Sequence, residues 1–459
     1  MMLQYRFISI ISLIVLSFQM YSCSRVQAQP GVSGKISSYD QRPLKLQRYF
    51  LDKAITVDST QTDQNGGFHF EMKDQTAGQY RILLTNSQAI EFIFDHQDIE
   101  FTTDAQDPNE NLQIVKSEIF RDYNNYLNQR DQASVKLEML TPMLEYFPKE
   151  DTFYLQIRKK FLDEQMALID YRKKLIAKNK GNFLARYMAS DQRVILNADL
   201  GLSGQRAFLQ QHALDFVDFD DTTLLNSNLF NGKVMDYLGL YQNNQLDKPQ
   251  LEREYIRAVD HVLSRAMFND VVFQHIMEFL VNGFEHFYFT EVVTYIAENF
   301  ELSESCQNLE RKNELQEKLQ AYQRLAIGKA APEIIMKDVK GNELQLSKIK
   351  AENTLVIFWA SWCPHCKEIL PELSEFYNSI DKKDLEIVAI SLDKKPEELQ
   401  EYLNQNKSSL VHACDYKGWD TPAAIDYHIY STPTLLLLDK NKNIIGRPEN
   451  VSQVIEAMR

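Results

Sequence analysis

The motif Trp362-Cys363-Pro364-His365-Cys366, directly after the apolar run 355–359, most constrains the fold of this chain. A short apolar run predicts a buried strand, and a cysteine pair with two intervening residues then opens a helix. The N–H groups at the start of that helix would favour the Cys363 thiolate. Cys366, about one helical turn later, could attack a mixed disulfide within the same molecule. The spacing indicates thiol–disulfide exchange.

Two other uses of the cysteine pair fit the sequence less well. A zinc site would need a second pair of ligands, but Cys23, Cys306 and Cys414 are single and far apart, so we expect no metal. A structural disulfide between Cys363 and Cys366 would close only a very short loop, which removes little chain entropy. Redox chemistry is therefore the favoured interpretation.

Length and charge limit the classes of protein to consider. With 459 residues, 44% of them hydrophobic, the chain is long enough for two or three domains with real cores. The net charge of −14 argues against nucleic acid as a partner and against electrostatic binding to anionic lipid.

The N-terminus is predicted to be a signal peptide over residues 1–28. Arg6 precedes an apolar run, 7–18, that is too short to span a membrane comfortably. Two processing routes stay open. Cleavage after Ala28 fits the small-residue pattern, whereas Met20-Tyr21-Ser22-Cys23 loosely matches a lipobox that would make Cys23 a lipid anchor. Either route predicts export to the periplasm or cell envelope, with membrane attachment only through such an anchor.

The remaining chain predicts three domains of different class. Short alternating segments over residues 29–108 predict an antiparallel β-sandwich of about seven strands. Helical spacing over 109–325 predicts an all-α middle domain, in which the aromatic stretch 279–289 is interpreted as core. Residues 326–459 predict a C-terminal α/β domain with helices on both faces of a central sheet.

The C-terminal domain resembles the thioredoxin fold, specifically its exported TlpA/ResA-type branch. The segments that carry the resemblance are Gly328-Lys329-Ala330-Ala331-Pro332, residues 358–366, Lys417-Gly418-Trp419-Asp420 and Ser431-Thr432-Pro433-Thr434. The two preceding domains are similar to extensions of large exported members. The resemblance also associates the chain with cytochrome c biogenesis.

The resemblance implies a role for each site residue. Cys363 attacks and Cys366 resolves, and their redox-active disulfide is the only cofactor expected. Pro433 matches the cis-proline that packs against the cysteine pair, and the backbone of Thr432 pairs with a substrate strand. Trp362 shields the thiol on one side.

Two features bear on proton transfer and on the direction of electron flow. Where relatives carry a relay acid, this chain has Ile357 and Ile369, and Glu368 is expected to face solvent because one residue rotates a helical side chain by about 100°. Pro364-His365 is the dipeptide of DsbA-type oxidases, and it is expected to tune the couple by lowering the thiolate pKa. DsbA-type proteins insert a helical domain between the motif and the cis-proline, for which residues 367–432 are too few.

The sequence thus predicts an exported thiol–disulfide oxidoreductase, a reductase of envelope protein disulfides that receives electrons from another redox protein. Alternatives are a DsbA-like oxidase, a peroxiredoxin-like peroxidase, and a partner-binding scaffold with an accessory redox domain. Cys414 and Cys306 are expected to be buried free cysteines. The substrate and the oligomeric state have no signal in the sequence.

Overall fold

The computed structural model describes residues 30–51, 53–302 and 309–458. These residues form two compact units, one comprising residues up to 47 together with 56–123, the other 48–55 together with 124–459. The signal peptide, Cys23, Ala28 and Cys306 lie outside the described residues, so both processing routes remain predictions.

The N-terminal region, residues 30–116, is built on two four-stranded sheets. Its strands are β1 (Gly31–Ser37), β2 (Pro43–Phe50), β3 (Lys53–Gln61), β4 (Gly67–Glu71), β5 (Gly78–Thr85), β6 (Gln88–Phe94), β7 (Ile99–Asp104) and β8 (Gln113–Lys116). The sheet orders are β4-β1-β7-β8 and β3-β2-β5-β6. Apolar residues of both sheets share one core, as alternation predicts; in β4, for example, Phe68 and Phe70 are buried while His69 is exposed.

Two details of the β-sandwich differ from the sequence-based prediction. The pairing of β1 with β7 is parallel, although the other pairs with a recorded register in these two sheets are antiparallel. Strand β8 lies within 109–325, the segment assigned to the helical domain. Three of its four residues are exposed, so the strand is held by backbone pairing with β7 and carries no apolar alternation to reveal it.

The middle region is helical, as predicted. Its helices are α1 (Glu118–Tyr146), α2 (Thr152–Lys178), α3 (Phe183–Ser190), α4 (Leu202–His212), α5 (Leu229–Gly239), α6 (Lys248–Ala266), α7 (Asp270–His286), α8 (Thr290–Asn299) and α9 (Leu309–Arg324). Helix α6 begins with a capping box in which Asp247 accepts the N–H of Gln250, and the Gln250 side chain accepts the N–H of Asp247.

The aromatic stretch 279–289 is only partly core. Leu280, Val281 and Phe284 are buried on α7, but Phe287 and Tyr288 are exposed. The core interpretation is therefore wrong for these two residues. Helix α7 ends at His286, so the helical spacing that would turn them inward stops before them.

The C-terminal region has the predicted α/β architecture. Its elements are β9 (Ile335–Lys337), β10 (Glu343–Gln345), β11 (Asn353–Trp359), α10 (Pro364–Ser379), β12 (Leu385–Ser391), α11 (Pro396–Gln405), β13 (Val411–Ala413), α12 (Pro422–Asp426), β14 (Thr434–Leu438), β15 (Ile444–Gly446) and α13 (Val451–Ala457). The central sheet has the order β13-β12-β11-β14-β15. Strands β11, β12 and β13 are parallel, and β14 runs antiparallel to β11.

Strand β11 is buried on both faces, which explains its continuous apolar run. Leu355, Ile357 and Trp359 pack with α10 on one face, whereas Val356 and Phe358 pack on the other face. Helix α10 runs through Pro371 without interruption. Among the described residues, we find no helix whose length and apolar character would suffice to cross a bilayer.

Candidate active site

The cysteine pair lies where β11 gives way to α10. Cys363 is the N-cap of that helix, and its Sγ accepts the backbone N–H of Cys366 at 3.4 Å. Pro364 occupies the first turn of the helix, where its missing N–H leaves no helical bond unmade. Both cysteines are free, and their side chains are buried in the core between β11 and α10.

The two thiols have opposite pKa shifts. Burial raises the pKa of Cys363, but hydrogen bonding with Cys366 and Thr432, and with the backbone N–H groups of Cys366 and His365, outweighs it and brings the pKa below its ordinary value. Burial, together with the neighbouring Cys363 thiol, raises the pKa of Cys366 to about 12. Cys363 is thus the thiol that ionises first, and the arrangement suits attack by Cys363 followed by resolution by Cys366.

The cis-proline loop closes over Cys363. The Thr432–Pro433 peptide bond is cis. The Cys363 thiol donates a hydrogen bond to the carbonyl oxygen of Thr432 at 3.3 Å, which brings together residues 69 positions apart. The loop leads directly into β14, the neighbour of β11, so the sheet itself places the loop beside the cysteine pair.

Trp362 and His365 flank the pair at the surface. Trp362 is 50% exposed, and its ring centroid lies 6.4 Å from that of Trp419. The side chain of His365 is 80% exposed, with Nδ1 at 3.5 Å from Oε2 of Glu368. The backbone N–H of His365 helps to lower the pKa of Cys363.

The two positions at which a relay acid could stand, 357 and 369, carry apolar side chains. Ile357 and Ile369 are buried in the core that holds both cysteines. The Glu368 side chain is exposed, as expected from its position on the helix. Ile357 and Ile369 have no titratable group, so neither side chain can relay a proton to Cys366.

Asp393 is a buried carboxylate that the sequence reasoning missed. Its oxygens accept hydrogen bonds from the N–H of Ser361 at 3.0 Å, from Oγ of Ser361 at 2.6 Å and from Oγ of Ser391 at 2.6 Å. Ser361 lies two residues before Cys363, so Asp393 positions the start of the motif. Strands β11 and β12 are parallel and end at the same edge of the sheet, where the cysteine motif begins. An acidic residue just after a buried strand was therefore the signal in the sequence that could have indicated Asp393.

Two other residues near the site have distinct environments. His412 is buried with its ring centroid 5.3 Å from that of Trp359, and burial lowers its pKa to about 4. Cys414 is a free, half-buried cysteine whose Sγ lies 3.6 Å from the carbonyl oxygen of Asp393, and burial raises its pKa. Among residues 30–51, 53–302 and 309–458, we find no cluster of three or more His, Cys, Asp or Glu side chains suited to a metal.

Sequence comparisons agree with this geometry. Residues 352–444 match the family described as thioredoxin-like, and residues 31–123 match a family described as a domain of unknown function (DUF4369). The thiol-disulfide oxidoreductase ResA of Bacillus thuringiensis (strain Al Hakam) is 27% identical over 131 residues, which are 27% of this chain and 69% of ResA. Sporulation thiol-disulfide oxidoreductase A of Bacillus subtilis (strain 168) is 29% identical over 113 residues, covering 24% of this chain and 66% of its own.

A crystal structure is also similar to the C-terminal region. The thioredoxin domain of a thiol-disulfide oxidoreductase from Bacteroides vulgatus is 27% identical, with a TM-score of 0.27, and the match covers 29% of this chain and 96% of that domain. The C-terminal region is a thioredoxin-like domain. This domain, together with the similarity to thiol–disulfide oxidoreductases of the ResA type, shows that the chain is a thiol–disulfide oxidoreductase.

Proposed function

We propose that the protein is an exported reductase of protein disulfides in the cell envelope, working through the Cys363–Cys366 couple. The observation that carries the proposal is the asymmetry of the pair beside the cis-proline. The pKa of Cys363 is lowered and its thiol contacts Thr432, whereas Cys366 is fully buried and its pKa is raised to about 12. An attacking thiol must ionise readily, and a resolving thiol is protected until the mixed disulfide forms.

The reaction has two exchange steps. The Cys363 thiolate attacks one sulfur of the substrate disulfide, forming a mixed disulfide and releasing the first substrate sulfur as a thiolate. Cys366 then attacks Sγ of Cys363, and the second substrate sulfur leaves. The proton of Cys366 passes to the departing sulfur, so the substrate gains two electrons and the protein becomes a disulfide. An electron-donating dithiol protein returns these two electrons.

Two features support the reductive direction over a DsbA-like oxidase. The imidazole of His365 is largely exposed, with Nδ1 3.5 Å from a carboxylate oxygen of Glu368, so solvent weakens any electrostatic effect of the ring on the Cys363 thiolate. Between the motif and Pro433 the chain forms only α10, α11, α12, two strands and a short 3₁₀ segment, without an inserted helical domain. Because the exposed imidazole stabilises the Cys363 thiolate only weakly, we expect the reduction potential of the disulfide to stay below that of a strong oxidase.

Export rests on the sequence of residues 1–28, with either cleavage after Ala28 or lipidation of Cys23. In the envelope, the partners would be protein thiols and disulfides. The cell fraction and the mass of the mature N-terminus distinguish the two routes, because a lipidated protein would begin at Cys23.

Reduction of insulin by the full chain with dithiothreitol as electron source tests the activity. We expect Cys363→Ser to abolish it and Cys414→Ser to leave it unchanged. Reduction that survives Cys363→Ser would overturn the proposal. The direction is tested by the reduction potential of the couple, which we expect near that of thioredoxin, about −270 mV; a value near that of DsbA, about −120 mV, would favour the oxidase.

A further inference from the structure

A cleft of about 550 Å³ opens beside the cis-proline loop, and the helical region forms one of its walls. Thr432 and Pro433 line one side, next to His365 of the cysteine motif. Phe287 and Tyr288, in the turn between α7 and α8, line the cleft as well. The cleft is therefore continuous with the place where a substrate must present its sulfur to Cys363, because the Cys363 thiol contacts Thr432.

The turn that carries these aromatic residues has a defined conformation. The N–H of Tyr288 donates to the carbonyl of Glu285 at 3.0 Å, and the N–H of Phe289 donates to the carbonyl of Phe284 at 2.9 Å. Tyr288 has φ of +60°, in the left-handed region. Phe287 and Tyr288 are nevertheless 66% and 53% exposed, so the backbone fixes two large apolar side chains that the described part of the chain leaves uncovered.

Polar contacts fix the helical region against the cis-proline loop. His428 and Tyr430 lie just before Thr432. Nε2 of His428 is 3.6 Å from Oε1 of Glu285 on α7, and the Tyr430 hydroxyl contacts that of Tyr322 on α9. The Tyr322 hydroxyl also donates to Oε1 of Glu285 at 3.1 Å. The segment before Thr432 thus contacts α9 through the Tyr430 hydroxyl, and Tyr322 of α9 in turn bonds to Glu285 of α7, the helix that precedes the aromatic turn.

Charged side chains and exposed aromatic side chains both line the cleft. Lys248 forms an ion pair with Glu449, and the carboxyl of Glu252 accepts the N–H of Glu291. The Arg447 guanidinium, which also lines the cleft, donates to the carbonyl oxygen of Leu325. Phe287 and Tyr288 add exposed aromatic surface to these polar groups. Burying such surface is favourable in proportion to the apolar area removed from water. The matching occupant is a chain segment with a bulky apolar side chain close to its reactive cysteine.

We propose that Phe287 and Tyr288 form a binding surface for an apolar side chain that lies near the reactive cysteine of a protein substrate. The helical region thereby selects substrates for the redox site. This inference rests on the proposed function, since it concerns which disulfides the Cys363–Cys366 couple reduces.

The test uses the full chain and three synthetic peptides, each with one cysteine joined by a disulfide to 2-mercaptoethanol. One peptide has Phe two residues before the cysteine, one has Phe two residues after it, and one has Ser at both positions. Bis(2-hydroxyethyl) disulfide serves as a substrate without a peptide. The variant is Phe287→Ala with Tyr288→Asn, because Asn tolerates a positive φ. Phe268→Ala is the matched control: Phe268 is 81% exposed and lies outside the cleft.

We expect the unmodified protein to reduce at least one Phe peptide with a kcat/KM about tenfold above that for the Ser peptide, the ratio that about 1.4 kcal/mol produces. The double variant should lose this preference and retain its rates for the Ser peptide and for bis(2-hydroxyethyl) disulfide. Phe268→Ala should keep the preference. The inference is overturned if the unmodified protein shows no preference, if the double variant keeps it, or if that variant slows all substrates equally. Failure of the unmodified protein to reduce any of these disulfides would instead overturn the proposed function.

Discussion

The difference in reactivity between the two active-site thiols can be worked out from the structure. Alkylating agents react with thiolates, so the ratio of the rates depends on the two pKa values. The pKa of Cys363 lies below its ordinary value of 9.0, and that of Cys366 is about 12, so they differ by more than about 3 units. Near neutral pH, the thiolate fraction of Cys363 then exceeds that of Cys366 by more than about 1000-fold.

Intrinsic nucleophilicity reduces this ratio. A thiolate of higher pKa is more nucleophilic, with a Brønsted coefficient of about 0.4–0.5, which returns a factor of roughly 20 to Cys366 over 3 units. Cys363 should therefore react at least about 50-fold faster with iodoacetamide. Burial of the Cys366 side chain can only increase the difference.

Single substitutions separate the two rates. Cys366→Ser retains the backbone N–H at position 366 that bonds the Cys363 sulfur, and Cys363→Ser retains the burial of Cys366, the largest cause of its raised pKa. The reduced proteins are treated with iodoacetamide between about pH 5 and pH 10, and mass spectrometry of the active-site peptide separates this alkylation from that of Cys414. The reasoning fails if the two rates lie within a factor of about ten, or if the midpoint for Cys363 is at or above its ordinary pKa.

Three further predictions concern buried polar groups. Asp393→Asn, which removes the charge from three hydrogen bonds, should lower the free energy of unfolding of the reduced protein by about 3 kcal/mol in urea, more than Ser361→Ala does; an unchanged midpoint would contradict the positioning role. Burial raises the pKa of Glu252 to about 7, so its ionisation costs stability as pH rises from about 4.5 to 7. Glu252→Gln should therefore stabilise the protein above about pH 7 and leave its stability unchanged below about pH 4.5. An equal effect of the substitution in these two pH ranges would refute this. Burial lowers the pKa of His412 to about 4, so stability is lost as pH falls from 6.5 to 4. His412→Phe should remove that loss in thermal unfolding scans, and an identical acid slope would count against it.

Residues of the C-terminal domain whose environment depends on local pattern were predicted well. Helix α11 occupies Pro396–Gln405, the segment that the sequence indicates, because a proline at the start and apolar spacing define it locally. Trp359 is fully buried, as a residue inside a continuous apolar strand should be. The fold class of each region follows from such periodicity.

Features that depend on distant parts of the chain were not predictable. Asp393 acts on Ser361 across 32 positions, and its role appears only once β11 and β12 are adjacent. The exposure of Tyr288 depends on where α7 ends. Aromatic spacing alone cannot distinguish a side chain in the last turn of a buried helix from one in the turn that follows.

Chemistry and selectivity occupy different parts of this chain. The redox couple needs only the end of β11, the start of α10 and the loop before β14, all within the thioredoxin-like domain. The exposed aromatic surface next to the cysteine pair includes Trp362 and Trp419. Burying additional apolar surface makes binding more favourable. The aromatic turn between α7 and α8 adds such surface to the cleft that Thr432 and Pro433 also line. The Tyr322 hydroxyl, which contacts Tyr430 and donates to Glu285, links the loop before Pro433 to α7. Under the proposed function, the added helical region changes which substrates bind without changing the Cys363–Cys366 couple.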